Sequence, residues 1–274
     1  LASSPTHSPP TVSAATQEHG GRTRVSTLEG RTALVTGGSR GIGLAIARSL
    51  VARGARVVVT GRKPDALAEA VSALGGPEVA AGVAGNAGDA EHRAQAVRTA
   101  VDTFGSLEML VGNVGINPVY GPLVDLSLDG FRKILDTNVV GTLGLVQEAW
   151  RAWMAEHGGS VLVVASVAGL KASPLIGGYG VSKAALVNLV TQLAVELGPT
   201  VRVNAVAPAV VKTRFAGALY EGREAEVAAQ DPVGRLGVPE AVGEAAAYLL
   251  GDGAGWVTGQ TLVLDGGALS RGPA

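Results

Sequence analysis

The stretch Ala33-Leu34-Val35-Thr36-Gly37-Gly38-Ser39-Arg40-Gly41-Ile42-Gly43 decides the fold. Its apolar start reads as a buried strand, and the glycines lead into Ile42–Arg53, whose apolar spacing reads as a helix. In such a turn each glycine has a use. Gly37 permits a tight strand-to-helix reversal, Gly41 lets backbone approach a pyrophosphate, and Gly43 lets the helix pack on the sheet. Free N–H groups at the helix start attract the anion, so a dinucleotide site is expected here, with Ser39, Arg40 and Ile42 on the same turn. Two other readings compete. The glycines could simply end a strand, and Gly37-Gly38-Ser39-Arg40-Gly41 also fits the GxSxG nucleophile elbow of hydrolases. Hydrolase chemistry needs a histidine late in the chain, and the last one is His157.

Outward from this turn, short apolar runs alternate with amphipathic stretches, the pattern of βαβ units and a parallel sheet. Seven strands are expected, at Thr32–Thr36, Ala55–Thr60, Glu78–Ala84, Met109–Gly112, Ser160–Ala165, Arg202–Val206 and Thr261–Leu264. Helices are expected at Ile42–Arg53, Pro64–Leu74, Asp89–Phe104, Leu128–His157, Gly178–Leu197 and Pro239–Leu250. The fold class is α/β, a doubly wound sheet of seven parallel strands with helices on both faces. Residues 1–30, rich in Ser, Thr and Pro, read as a flexible leader, and 31–274 as one domain. Residues 212–237 lack an obvious strand and read as a lid over the carboxyl edge of the sheet.

Composition narrows the functions available. The 274 residues are 47% hydrophobic and 16% charged, enough apolar content for a large core. Mean hydropathy of +0.31 comes from short interrupted runs, too short to span a bilayer. With neither a signal-like apolar stretch nor a membrane span, the expected location is cytoplasmic. Twenty-two basic against 23 acidic residues leave no basic stripe for nucleic acid. Absent cysteine excludes thiolate chemistry and Cys-bound metals, and four scattered histidines suggest no metal site.

The second strand ends Val59-Thr60-Gly61-Arg62-Lys63, where an NAD site usually carries a carboxylate for the ribose 2′-hydroxyl. Gly61 offers none, whereas Arg62 with Arg40 suits a 2′-phosphate, so NADP(H) is expected over NAD(H). The bland reading is two solvated arginines.

Tyr179 and Lys183 lie four apart at the start of an expected helix and so share a face. A neighbouring ammonium favours the phenolate and draws the tyrosine pKa toward the working range, as acid–base catalysis requires. Ser166, at the end of an expected strand and thirteen residues before Tyr179, adds a hydroxyl at the carboxyl edge.

From Arg31 to Gly267 the chain resembles the short-chain dehydrogenase/reductase family, of Rossmann-like fold. Thr36-Gly37, Gly41-Ile42-Gly43, Asn113-Val114-Gly115 and Asn138 in Asp136-Thr137-Asn138-Val139 look like its motifs, and Ser166, Tyr179 and Lys183 complete its tetrad. The resemblance implies that Tyr179 protonates a carbonyl oxygen as hydride arrives, and acts as base in reverse. Lys183 would hold the nicotinamide ribose and lower the Tyr179 pKa. Ser166 would hydrogen-bond the substrate oxygen, and Asn138 would hold a water in the proton relay. Asn86 stands where the family commonly has an adenine-contacting Asp, and Gly112 replaces the first Asn of its NNAG motif. Pro208-Ala209-Val210-Val211-Lys212-Thr213 resembles the PGxxxT segment, implying cofactor contacts from Pro208, Val211 and Thr213.

Substrate contacts are expected from Ile116–Tyr120, Leu175, Ile176, Phe215, Leu219 and Tyr220. These are mostly apolar, and with no Lys or Arg cluster around the mouth a hydrophobic ketone or aldehyde is expected. NADP-dependent carbonyl reductases and 3-oxoacyl-acyl-carrier-protein reductases resemble the chain equally. An NAD-dependent alcohol dehydrogenase and a non-catalytic dinucleotide-binding regulator remain as alternatives. The resemblance also implies a homotetramer or homodimer, with Leu128–His157 and Gly178–Leu197 paired across a two-fold axis.

Overall fold

The computed structural model describes residues 27–271, so most of the expected leader lies outside the described residues. Seven parallel strands form one sheet in the order β3-β2-β1-β4-β5-β6-β7. They are β1 (Thr32–Val35), β2 (Arg56–Gly61), β3 (Ala80–Ala84), β4 (Met109–Gly112), β5 (Gly159–Val164), β6 (Val201–Pro208) and β7 (Thr261–Leu264). The continuous apolar runs divide residue by residue between two cores, because successive side chains leave a strand on opposite faces. Ala33 and Val35 pack on one side with Val57 and Val59; Leu34 and Val58 pack on the other.

Helices α1 (Gly41–Val51), α2 (Pro64–Ala73) and α10 (Pro239–Leu250) cover the first face, and α3 (Ala90–Phe104), α5 (Gly141–Ala149) and α7 (Gly177–Glu196) the second. Asp89 accepts a hydrogen bond from Glu91 N–H and caps α3, while a proline opens each of α2 and α10. Among the described residues no helix is long and apolar enough to cross a membrane.

Two expectations need correction, and the lid gains detail. Leu128–His157 is a run of α4 (Leu128–Leu135), α5 and α6 (Ala155–His157), joined by π-helical turns at Asp136–Val140 and Trp150–Met154. A π-turn inserts a residue without changing the polar or apolar character of its neighbours, so periodicity does not reveal it. The lid carries two short helices, α8 (Gly217–Tyr220) and α9 (Glu224–Ala228), and its ends meet in a parallel bridge between Val211 and Gly237. An ion pair from Lys212 to Glu224 ties α9 to the base of the lid. Finally, Leu28, assigned by its sequence neighbours to the leader, is fully buried, with its N–H donating 2.7 Å to the Arg53 carbonyl.

Leu28→Ala is therefore expected to cost about 2–4 kcal/mol, the usual range for truncating a buried leucine. Urea denaturation checks it; a change below about 0.5 kcal/mol, the range of surface substitutions, would place Leu28 outside the cooperative core.

Candidate active site

Strand order reverses between β1 and β4, and the chains leave their carboxyl ends toward opposite faces. The two ends are stitched together by side chains. Asn113 Nδ2 donates to the Thr36 carbonyl at 2.8 Å, Thr36 Oγ1 donates to the Val111 carbonyl at 3.1 Å, and that hydroxyl accepts from Asn113 N–H at 2.9 Å. The glycine turn sits on this seam. Gly37 has φ of +64°, and a side chain at Gly43 would collide with the Gly37 carbonyl. No side chain caps α1, whose start faces an open cleft of about 1700 Å³.

The cleft brings the expected cofactor residues together. Gly37, Ser39, Arg40, Gly41, Ile42 and Gly43 line it at the turn. Arg62 and Asn86 line it beyond β2 and β3, and Asn113, Val114 and Gly115 beyond β4. Pro208, Val211 and Thr213 complete the far wall. A dinucleotide fits this cradle: an uncapped helix start and close backbone for phosphates, arginines at one end, and hydroxyl and amine groups at the other.

Ser166, Tyr179 and Lys183 line the same cleft. Ser166 follows β5, and its hydroxyl accepts from Ala168 N–H at 3.2 Å, fixing the oxygen at the sheet edge. Tyr179 opens α7 and hydrogen-bonds Ser166 through its side chain. Lys183 lies one turn later, fully enclosed, with Nζ donating 2.7 Å to the Val164 carbonyl. A Cβ on Gly115 would come within 3.2 Å of that Nζ, so glycine there leaves room for the amine.

The electrostatics differ from the sequence expectation. Burial pushes the Tyr179 phenol up to about 12, the Ser166 hydrogen bond opposing it weakly, and burial draws the Lys183 amine down to about 8. The Lys183 Nζ lies 5.4 Å from the centre of the tyrosine ring and donates to the Val164 carbonyl. At neutral pH Tyr179 holds its proton.

Asn138 does not line the cleft. It sits in the first π-turn, fully buried, with every side-chain hydrogen-bonding group engaged. Its Oδ1 accepts from Ile116 N–H at 2.8 Å, and Nδ2 donates to the Ile116 carbonyl at 3.1 Å and to Ser182 Oγ at 2.9 Å. Ser182 Oγ in turn donates 2.7 Å to the Tyr179 carbonyl. One buried chain thus links the loop after β4, the π-turn and the helix bearing Tyr179. Sequence reasoning passed over Ser182; its signal is a small hydroxyl residue three after the tyrosine, where serine bonds back to its own helix. Gly112 is also accounted for: a Cβ there would meet Thr142 Cγ2 at 3.2 Å, and Thr142 Oγ1 donates to the Asn138 carbonyl at 2.7 Å. Thr142 occupies the space next to this glycine.

Of the expected substrate residues, Asn117, Tyr120, Ile176, Phe215 and Leu219 line the cleft, and Phe215 lies 6.2 Å from the Tyr179 ring. Ile116, Pro118, Val119, Leu175 and Tyr220 do not. Leu175 is held in a left-handed turn at φ of 67°, its carbonyl accepting from Gly121 N–H, and the Tyr220 hydroxyl is directed to the Thr213 carbonyl at 3.4 Å. Lys171, Arg214 and Arg271, which the sequence reading did not place at the site, also line the cleft. Among the described residues no group of His, Asp and Glu side chains is arranged to hold a metal.

Comparison with known proteins agrees with this architecture. Residues 37–268 match the family model described as enoyl-(acyl carrier protein) reductase. The mouse protein "Dehydrogenase/reductase SDR family member 4" is 38% identical over 255 residues, covering 92% of this chain and 91% of its own. Two solved structures superpose with a TM-score of 0.84: a short-chain type dehydrogenase/reductase from Mycobacterium ulcerans, at 35% identity over 89% of this chain and 92% of that one, and a short-chain dehydrogenase/reductase titled glucose/ribitol dehydrogenase from Brucella melitensis, at 31% over 89% and 98%. The chain belongs to the short-chain dehydrogenase/reductase family. It is an oxidoreductase acting on CH–OH groups, in a family that uses NAD(P)(H).

Two outcomes follow from the buried polar groups. Lys183 is drawn from 10.5 to about 8 by burial, so the unfolded chain binds the extra proton between those values, and stability from this group rises with pH across that window. Lys183→Met removes a penalty of about 3 kcal/mol present below pH 8 and loses a hydrogen bond of about 1 kcal/mol. The variant is expected to be more stable than the parent by about 2 kcal/mol at neutral pH, the gap closing toward pH 10.5; denaturation at several pH values reads it, and a pH-independent gap would refute it. Ser182→Ala strands the Asn138 amide and is expected to cost about 1–2 kcal/mol. As a positioning change it should lower kcat more than it alters KM, and an unchanged kcat would remove Ser182 from that role.

Proposed function

We propose that the protein is an NADP(H)-dependent carbonyl reductase working with a tyrosine acid and taking apolar ketones or aldehydes. The observation that carries the reading is the convergence of the Ser166 and Tyr179 side chains at the carboxyl edge of the sheet, with the Lys183 amine enclosed behind them. When bound, NADPH supplies the hydride that reduces the carbonyl carbon, leaving a secondary or primary alcohol and NADP+.

The chain's residues do the rest. Ser166 donates to the substrate oxygen, and Tyr179 Oη transfers its proton to that oxygen as negative charge develops there. The raised Tyr179 pKa keeps the phenol in its protonated, acid form at neutral pH. Lys183, close to half-protonated near pH 8, holds the ribose hydroxyls and relays the proton that restores Tyr179. Asn138, with both amide hydrogens engaged and Oδ1 accepting from Ile116, positions Ile116 and α7 through Ser182. The glycine turn with Ser39 and Ile42 holds the pyrophosphate. Asn86 and Val114 flank the adenine end, Asn113 and Gly115 frame the middle, and Pro208, Val211 and Thr213 receive the carboxamide end. Arg40 and Arg62 hold the 2′-phosphate where Gly61 supplies no competing carboxylate. Assembly as a homotetramer, with α5 and α7 paired across a two-fold axis, belongs to the same reading.

Fluorescence titration with NADPH and NADH, followed by NADPH oxidation with apolar ketones, tests the reading. NADPH is expected to bind about tenfold tighter or more, and Arg62→Ala to erase most of that ratio. Tyr179→Phe is expected to lower turnover at least about 100-fold while changing NADPH affinity far less. Equal affinities would point to an NAD enzyme, and turnover that survives Tyr179→Phe would remove the tyrosine acid.

A further inference from the structure

The positive charge of the cleft extends beyond the cofactor end. The chain as a whole carries a formal charge of -1, yet Arg40, Arg62 and Lys63 line one end of the cleft and Lys171, Arg214 and Arg271 line it elsewhere. Among the described residues, Asp231 is the one carboxylate that lines the cleft. The cofactor phosphates account for the first three cations, because they surround the glycine turn and the end of β2. They do not account for Lys171, which follows β5 beyond Ser166, or for Arg271 near the chain end. Arg271 is aimed by the lid: its guanidinium donates to the Ala229 and Gln230 carbonyls at 3.0 and 3.1 Å, just after α9.

These cations are available to a ligand. None of the three is in an ion pair among the described residues, whereas Lys212, in the same segment as Arg214, is neutralised by Glu224. Asp231 offsets only one charge, and it is itself drawn toward its neutral form by burial and by Asp265, with Lys171 opposing. Ile176, Phe215 and Leu219 give the same cleft apolar surface, with Phe215 6.2 Å from the Tyr179 ring. A cleft with a reactive tyrosine, an apolar wall and unpaired cations matches a molecule with a carbonyl, an apolar body and an anionic end.

We infer that the substrates are ketones or aldehydes that carry a carboxylate or phosphate on an apolar body, with Lys171, Arg214 and Arg271 reading the anion. This rests on the carbonyl-reductase reading above and narrows its substrate class. The anion is not transformed; it orients the carbonyl toward Ser166 and Tyr179, and the redox step is unchanged.

The test compares kcat/KM, with saturating NADPH, for three phenyl ketones of equal length ending in a carboxylate, a phosphate ester or a neutral primary amide. An anionic ketone is expected to exceed the amide by about two- to fivefold, roughly what one partly exposed ion pair supplies. The advantage should shrink as salt rises from 0.02 to 0.5 M on the order of the screening length, while the amide stays flat. Lys171→Gln combined with Arg214→Gln is expected to bring the ratio close to one, and the carboxylate-to-phosphate ratio distinguishes the two anions. Equal kcat/KM for all three ketones overturns the inference and leaves the carbonyl-reductase reading standing. So does a preference that survives the double substitution. A double variant that keeps its anion preference but loses NADPH affinity in titration assigns these cations to the cofactor and also overturns it. No turnover of any ketone overturns the carbonyl-reductase reading itself.

Discussion

Everything in this protein's site depends on holding together two strand ends that diverge. Where the order of a parallel sheet reverses, the chain after β1 turns to one face and the chain after β4 to the other, leaving a crevice. The crevice exposes backbone groups that have no ladder partner. Thr36 and Asn113 satisfy them, one hydroxyl and one amide bridging the two ends with hydrogen bonds of 2.8 to 3.1 Å. The glycine turn, the open start of α1 and the loop leading to Ile116 are all placed by that seam. A single hydrogen bond contributes only about 1 kcal/mol net, but a lost one leaves its buried partner unsatisfied.

The catalytic end makes the opposite trade. Enclosing the Lys183 amine opposes folding at neutral pH, since its charge is held out of water with a carbonyl as its acceptor. Desolvation of the half-buried Tyr179 raises the pKa of its phenol and keeps it protonated. A water-poor pocket thus disfavours charge on both groups and pulls their pKa values toward different protonation states, the condition under which one can act as acid and the other as relay. Behind them, Asn138 and Ser182 transmit position: a shift of the loop at Ile116 must move the π-turn or the first turn of α7 with it.

The lid and the cationic groups border the cleft beyond the glycine turn. Phe215 packs near the Tyr179 ring, and the Lys212–Glu224 pair sets the lid's base. Lid, tail and the segment after β5 each bring one cation, so the charge of the mouth belongs to the assembled fold and to no single motif.

Much of this was legible in the chain. Buried parallel strands are apolar without interruption, so seven of them could be counted, and a strand running into Gly37, Gly41 and Gly43 identifies the phosphate turn because few other backbones need glycine at those points. Tyr179 and Lys183 were readable because helical geometry puts residues four apart on one face. What local pattern could not convey is what comes from elsewhere in the chain. The π-turn around Asn138 leaves hydrophobic periodicity intact, and the burial that reverses the expected tyrosine shift is a property of surrounding elements. Leu28 looked like leader because its neighbours in sequence are polar, yet its neighbours in space are core. The sequence by itself determined the fold class and the placing of Tyr179 and Lys183 on one helix face, because both rest on spacing within one element. Only the tertiary structure decided the protonation states, the Asn138–Ser182 link and the cationic mouth, because desolvation and charge act through space between residues that the chain keeps far apart.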